Sequence, residues 1–355
     1  MSDWRKRGKK TDEVIYFPGT DEKTLASARQ AYIWDLDKTY LDTQLGSFKE
    51  LWRTATEKAS QKKNIPGTAE LVSSLKLAWT EKHQTDALKA KNFPLFFITA
   101  SPPQLEDKIG KKFEIDGIKP FGVFCKDNLQ NLRPRRLWRL SKHVGYKLQA
   151  LLQMRSYMAD DASLFLFGDD GESDSIIYAL FSDLCARRLN SEEFRKILTH
   201  FDVLDDQVDQ LLRLQELVPK NDPVKKIYIN LAEDTDADYY LKFGRRCLPT
   251  YNSFQMAVDL FQDGHMATKY VAQVGVALQS RYGYTVEQLD WSFNDLIRRQ
   301  RLSTEAVAEL LPELTNVGVL SEDFTPQMAP RTRAEIDASF DPWLIEHIEY
   351  LNDYR

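Results

Sequence analysis

The stretch that most constrains this chain is residues 31–39, which read A-Y-I-W-D-L-D-K-T. Residues 32–34 are an apolar run with high strand propensity, and Asp35 and Asp37 follow where that strand would end. In open α/β sheets, ligands bind at the carboxyl ends of parallel strands. Two carboxylates at the end of a buried strand need a cation or protons to offset their charge. The pattern therefore predicts a hard-metal site with an aspartate within reach of a substrate. The same residues also suit an ordinary turn or helix cap.

Length and charge limit the classes of protein to consider. A chain of 355 residues can build a large core and two structural units. The net charge of −5 argues against strong non-specific binding of nucleic acid by the whole molecule. No P-loop, dinucleotide, serine-hydrolase or zinc-hydrolase motif is present in the sequence. The three cysteines are far apart and include no C-x-x-C pair, which argues against a redox motif or a zinc knuckle: Cys125, Cys185 and Cys247.

The sequence predicts a cytoplasmic protein. Residues 1–10 are basic but lack the apolar segment of a signal peptide, and no run is long enough to span a bilayer. A low and odd number of cysteines fits a reducing compartment. The basic start is best interpreted as a solvated tail, with attraction to an anionic surface as the alternative.

A second buried strand is predicted within residues 93–101, F-P-L-F-F-I-T-A-S, which end in two hydroxyls at Thr99 and Ser101. Ser101 and Gln104 have the spacing of a capping box, and Pro102 suits the first helical position. The free N–H groups at the start of a helix favour an anion such as phosphate. The alternative is a plain strand-to-helix turn in which the hydroxyls only cap the helix.

A further apolar strand at residues 163–167 runs into G-D-D-G-E-S-D at residues 168–174. Asp169 follows the strand directly, whereas Asp174 also suits the N-cap of the next helix. Strand ends that carry acids and hydroxyls can face one crevice of a doubly wound sheet. This second acidic cluster therefore strengthens the prediction of a metal site.

Residues 131–147 are unusually basic. Arginines there suit bidentate contacts with a phosphate, and a solvated loop is an equally good interpretation. Lys147 differs because it starts an amphipathic helix. The predicted substrate-binding residues are Thr39, Ser101, Arg133, Arg135 and Arg136.

The rest of the pattern predicts an α/β fold, a doubly wound parallel sheet with a helical C-terminal extension. Residues 14–17 read as an edge strand, 48–55 as a helix, 224–231 as a strand and 250–261 as a helix. A helix with a capping box is predicted to start at Thr285, a further helix to cover 303–314, and a last amphipathic helix to cover 344–351. The predicted units are a basic tail with a possible edge strand at 1–24, an α/β domain at 25–266 with a helical insertion at about 189–222, and a helical region at 267–355.

Taken in order, four stretches resemble the motifs of the haloacid dehalogenase superfamily of phosphohydrolases: D-L-D-K-T at 35–39, Thr99, Lys147 and G-D-D-G-E-S-D at 168–174. A narrower likeness, over about 32–266, is to the catalytic domain of the actin-patch type phosphatidate phosphatases. It is carried by W-D-L-D-K-T-Y-L-D-T, I-P-G-T-A-E-L, F-I-T-A-S-P-P-Q-L and F-G-D-D-G-E-S-D-S-I-I-Y. The chain departs from that family's usual residues at Lys38, Thr99, Ala100 and Asp170, where the family has Asp, Ser, Asn and Ser.

The resemblance implies a set of roles. Asp35 would be the nucleophile that forms an aspartyl-phosphate, and Asp37 the general acid and then the base. Thr99 and Lys147 would bind the transferring phosphoryl group, with Lys126 and Lys142 as rivals for the lysine. The implied cofactor is Mg²⁺, held by Asp35, the backbone carbonyl of Asp37, Asp169 and Asp174, with Asp170 as a less secure partner.

The leading hypothesis is thus a Mg²⁺-dependent phosphatase whose substrate is phosphatidate or a related anionic lipid at a membrane surface. A second hypothesis is a phosphatase for a soluble phosphoester or a nucleic-acid end, which would use the arginines of the basic segment. A third is a non-catalytic binding module. The presence of both Asp35 and Asp37 favours an enzyme. The oligomeric state, the role of the C-terminal region and a capping role for residues 40–92 stay open.

Overall fold

A computed structural model describes residues 4–42, 63–127, 143–171, 173–232, 234–339 and 341–352. Eight strands of these residues form a single sheet in the order β1-β2-β5-β4-β3-β6-β7-β8. The strands are β1 (Lys9–Thr11), β2 (Val14–Pro18), β3 (Gln30–Asp35), β4 (Leu95–Thr99), β5 (Gly122–Lys126), β6 (Ser163–Asp169), β7 (Val224–Asn230) and β8 (Cys247–Thr250).

Strands β3 to β8 run parallel, and β1 and β2 pair antiparallel at one side. The central strands are continuous apolar runs because both of their faces are covered. Ile33 belongs to one hydrophobic core, while Trp34, on the opposite face of β3, belongs to the other and stacks on Phe167 at 4.1 Å. The predicted α/β fold with a mostly parallel sheet is confirmed.

Helices cover both faces. The core that contains Ile33 also includes apolar residues of α6, α7, α8 and α9, and the core that contains Trp34 includes those of α3, α5 and α10 to α13. The helices of the described residues are α1 (Trp4–Arg7), α2 (Glu22–Ala26), α3 (Thr68–Lys82), α4 (Ala87–Lys91), α5 (Glu106–Ile115), α6 (Val144–Ser156), α7 (Asp174–Ala186), α8 (Ser191–His200), α9 (Asp205–Glu216), α10 (Ser253–Gln262), α11 (Thr268–Tyr282), α12 (Val286–Arg298), α13 (Thr304–Asn316) and α14 (Arg333–Asp337).

The N-terminal part of the sheet differs from the prediction. Residues 14–17 do form a strand, but β2 lies between β1 and β5 and is therefore not the edge. Part of the predicted basic tail is β1, whose Lys10 forms a 2.5 Å ion pair with Asp127. Lys9 pairs with Glu22 at 2.6 Å, so both lysines of β1 have acidic partners.

The C-terminal part shows a missed strand and a wrong helix. β8 was not predicted because four residues that include a proline give a weak strand signal. Pro249 is tolerated because β8 is an edge strand of the sheet. Residues 344–351 form turns and bends instead of the predicted helix. The apolar residues of this segment make tertiary contacts instead. Ile348 is buried in a core, and the Tyr350 hydroxyl donates to Asp183.

The capping box at Thr285 is confirmed, and so is a helix close to 303–314, which is α13 with Ser303 as its N-cap. The predicted helix at 48–55 lies outside the described residues. Among the helices that are described, none is long and apolar enough to cross a membrane.

Candidate active site

Three buried carboxylates meet at the carboxyl edge of the sheet. Asp35 ends β3, Asp169 ends the neighbouring strand β6, and Asp174 starts α7. One carboxylate oxygen from each lies within 4.8 Å of the others, and each residue is at most 3% exposed. Like charges this close, out of contact with water, require positive charge nearby. A donor set made only of carboxylate oxygens suits a hard divalent cation such as Mg²⁺.

A glycine allows the third carboxylate to approach. A Cβ atom on Gly168 would lie 2.5 Å from Cβ of Asp174, so any other residue would push the start of α7 away from the end of β6. The backbone N–H of Asp169 then donates to Oδ2 of Asp174 at 3.2 Å, and that of Gly171 donates to Oδ1 of Asp169 at 2.6 Å. The loop thus fixes two of the three acids by backbone hydrogen bonds.

The ammonium of Lys147 lies among these acids. Its Nζ is 2.9 Å from Oδ1 of Asp35 and 2.6 Å from Oδ1 of Asp174, and all three side chains are at most 1% exposed. Of the two rival lysines, Lys126 is buried at the end of β5 with Nζ 5.9 Å from the centre of the Tyr146 ring. The other, Lys142, lies outside the described residues.

Asp37 takes part in a second arrangement. The hydroxyl of Thr99, at the end of β4, donates to Oδ2 of Asp37 at 2.6 Å. The backbone N–H of Ser101 donates to that hydroxyl oxygen at 3.0 Å. The carboxylate of Asp37 is not one of the three that meet around Lys147. The two acids of the D-x-D stretch therefore face different partners.

The predicted capping box at Ser101 is wrong. The chain after β4 starts with a short 3₁₀ helix, Pro103–Leu105, whose N-cap is Pro102, and no side chain caps it. A second proline at position 103 suits the first helical position and moves the helix start by one residue. Ser101 is instead buried, and its N–H points to Thr99.

The remaining predicted residues are placed as follows. The Thr39 hydroxyl lies 3.4 Å from both Oδ2 of Asp35 and Oδ2 of Asp169, so it can donate to either. Asp170 accepts from the N–H of Ala232 at 2.9 Å and the hydroxyl of Thr235 at 2.6 Å, so it fixes the loop after β7. The three predicted substrate-binding arginines, Arg133, Arg135 and Arg136, lie outside the described residues.

Tyr146 is a positioning residue that the sequence did not reveal. Its hydroxyl lies 2.7 Å from the carbonyl oxygen of Thr99 and 2.8 Å from that of Phe124. Burial raises the pKa of Tyr146 well above its usual value, so the hydroxyl stays a donor. It links the last residue of β4 to the middle of β5 and so fixes the backbone of Thr99. The contact spans 47 residues, and no local pattern signals it.

The buried acids and the lysine lie at the carboxyl edge of the sheet, where open α/β folds bind their ligands. Residues 31–191 match the sequence model of the family described as "Phosphatidate phosphatase APP1, catalytic domain". The match covers a little under half of the chain, confirms the resemblance found in the motifs and indicates a phosphatase. Comparisons with curated proteins and with solved structures give no significant match.

Proposed function

We propose that this chain is a Mg²⁺-dependent phosphomonoester hydrolase of the haloacid dehalogenase type, and that it acts on phosphatidate or a related anionic lipid. The observation that carries the proposal is the group formed by Asp35, Asp169 and Asp174 with Lys147. All four residues lie within the segment that matches the phosphatase family. The proposed phosphatase domain is residues 25–266, followed by a helical region at 267–355.

The residues present fit a magnesium ion. Asp35, Asp169 and Asp174 would hold it, together with the backbone carbonyl of Asp37, since all of these offer the oxygen ligands that Mg²⁺ prefers. When bound, the ion supplies positive charge that reduces the repulsion between a phosphate and a carboxylate nucleophile.

The chain's own residues carry the reaction in two steps. A carboxylate oxygen of Asp35 forms a bond to phosphorus as the bond from phosphorus to the alkoxide leaving group breaks, and Asp37 gives that alkoxide its proton. Asp37 next takes a proton from a water molecule, whose oxygen attacks phosphorus. The bond between Asp35 and phosphorus then breaks, which releases inorganic phosphate and restores both aspartates.

Two residues are placed to stabilise the transferring group. Lys147 is fixed by Asp35 and Asp174, and its ammonium offers charge to the phosphoryl oxygens. The hydroxyl of Thr99 donates to Asp37 and would turn to a phosphoryl oxygen when substrate binds.

The test is phosphate release from an aryl phosphate and from phosphatidate, with Mg²⁺ and with EDTA. We expect turnover that needs Mg²⁺ and is lost in Asp35→Asn. The matched control is Asp161→Asn, which neutralises an exposed aspartate paired with Arg29. Equal turnover by wild type and Asp35→Asn, or turnover unchanged by EDTA, would contradict the proposal. A higher kcat/KM for phosphatidate than for the aryl phosphate would support the lipid substrate.

A further inference from the structure

A cavity of about 370 Å³ opens at the carboxyl edge of the sheet, on the β7 and β8 side. Leu231 and Ala232, just after β7, and Tyr251, just after β8, form one wall. Tyr284 and Trp291 of the C-terminal region form the other. The volume is within the usual range of small-molecule sites, about 300–1,000 Å³. We call this space the aromatic cavity.

Hydrogen bonds of Asp170 join one wall of the aromatic cavity to the loop that follows β6. Asp170, the residue after Asp169, donates its N–H to the carbonyl oxygen of Asn230 at 3.2 Å. Its carboxylate accepts from the N–H of Ala232, a residue of the cavity wall, at 2.9 Å. Strand β6 alone separates β7 from β3, so the wall lies about 10 Å from the end of β3. Leu231 and Ala232, the nearest part of the wall, are thus within reach of a molecule whose phosphate binds at Asp35.

The cavity offers apolar surface to its occupant. Trp291 is 50% exposed, and the centre of its ring lies 5.0 Å from that of Tyr251. Polar side chains of the wall have hydrogen bonds within the protein: Asn252 donates to the Ser292 hydroxyl at 2.7 Å, and Gln288 accepts from the N–H of Thr285 at 2.9 Å. The wall also includes one exposed carboxylate, that of Glu287, which has a hydrogen bond with the Thr285 side chain. A large exposed aromatic surface beside a reactive site favours an apolar ligand group.

We propose that the aromatic cavity binds the acyl chain of a phospholipid whose phosphate is hydrolysed at Asp35. The inference rests on the proposed function and names the part of the substrate that is recognised apart from its phosphate. It also gives the C-terminal region a role, because α12 contributes Trp291. An apolar chain that leaves water for this surface raises kcat/KM for long-chain substrates without any change in the phosphate contacts.

The test compares kcat/KM for three dissolved substrates: an aryl phosphate, dibutyryl-phosphatidate and dioctanoyl-phosphatidate below its micelle-forming concentration. Each methylene that is fully buried is worth about a fourfold gain, so we expect wild type to prefer the longer chain by at least roughly tenfold. Trp291→Ala should lower kcat/KM for the dioctanoyl substrate by roughly tenfold and leave the aryl phosphate unchanged. Ala232→Phe, which narrows the cavity and keeps the backbone N–H, should have the same selective effect.

Trp343→Ala is the matched control. Trp343 is 41% exposed, and its carbonyl accepts from the N–H of Arg246. Arg246 directly precedes β8, so this contact lies at the amino-terminal end of that strand, whereas the cavity lies at its carboxyl end. This control should keep the wild-type preference for the longer chain. Turnover of the aryl phosphate by each variant shows that it is folded.

Three results would overturn the inference. If wild type hydrolyses the aryl phosphate without a preference for chain length, the cavity does not bind the chain, although the proposed phosphatase stands. If Trp291→Ala keeps the wild-type kcat/KM for the dioctanoyl substrate, Trp291 does not contact the chain. If wild type hydrolyses none of the three substrates, the proposed function fails and the inference fails with it.

Discussion

The ammonium of Lys147 forms ion pairs with two members of the acidic group, so its removal is an informative perturbation. Lys147→Met keeps the length and most of the volume of the side chain and removes the charge. The change leaves Asp35 and Asp174, which lie 2.9 and 2.6 Å from Nζ, buried without that contact. Loss of one partner of a buried ion pair usually costs about 3–5 kcal/mol.

The repulsion between carboxylates that the ammonium offsets is of similar size. Two carboxylates 4.8 Å apart, the outer limit for the acidic group, repel each other by about 3.5 kcal/mol at an effective dielectric constant of about 20. We therefore expect the free energy of unfolding of Lys147→Met to fall by about 3–5 kcal/mol in EDTA. The loss should be smaller in Mg²⁺, because a divalent cation bound by the same carboxylates replaces the missing positive charge.

The measurement is urea unfolding of wild type and variant, followed by circular dichroism, in EDTA and in Mg²⁺, with equal m values as the check on two-state behaviour. Lys226→Met is the matched control, since Lys226 is also a buried lysine between two carboxylates, Asp259 at 2.8 Å and Asp263 at 3.1 Å. Its loss of stability should be the same in both solutions. A Lys147→Met loss below about 1 kcal/mol in EDTA, or an equal loss with and without Mg²⁺, would refute the reasoning.

Three further predictions follow from single contacts. Burial lowers the pKa of His265 to about 4. Between pH 6.5 and 4 the unfolded chain therefore binds more protons than the folded one. Wild type should lose about 3 kcal/mol of unfolding free energy as the pH falls through that window. His265→Gln should lack this part of the pH dependence in urea unfolding, and an identical pH dependence would contradict the assignment. Thr99→Val removes the donor to Asp37 and should lower kcat by on the order of 100-fold with the structure intact; a loss below about threefold would contradict it. Tyr146→Phe leaves two buried carbonyl groups without this donor and should lower the free energy of unfolding by about 1–3 kcal/mol, whereas an unchanged urea midpoint would show that the bond contributes nothing.

The central strands and their acids could be predicted because the signals are local. β3, β4 and β6 are continuous apolar runs, and each is followed directly by a carboxylate or hydroxyl. The general rule that strand ends meet at one edge then places Asp35, Thr99 and Asp169 near each other. This reasoning needs no knowledge of the contacts between distant parts of the chain.

The contacts that the sequence did not reveal depend on distant partners. The hydroxyl of Tyr146 contacts backbone carbonyls of two strands. A tyrosine in a basic stretch of sequence gives no sign of such contacts. β8 is stabilised by pairing with β7, so its own four residues carry little signal. In the same way, residues 344–351 have helical spacing but are held by contacts with Asp183 and a core. Tertiary contacts outweigh local propensity in each case.

The separation of the two acids in the D-x-D stretch gives a physical basis for two different roles. Asp35 faces the acidic group, where the ammonium of Lys147 lies 2.9 Å from its Oδ1. Asp37 lies two residues beyond, directly before Lys38 with its positive φ of 59°, and its carboxylate accepts from the Thr99 hydroxyl at the end of β4. An ammonium on α6 and a hydroxyl on β4 are thus the different partners of two chemically identical side chains. Because the partners differ, exchange of an aspartate for asparagine at the two positions should stop different steps: bond formation to phosphorus at Asp35, and proton transfer at Asp37.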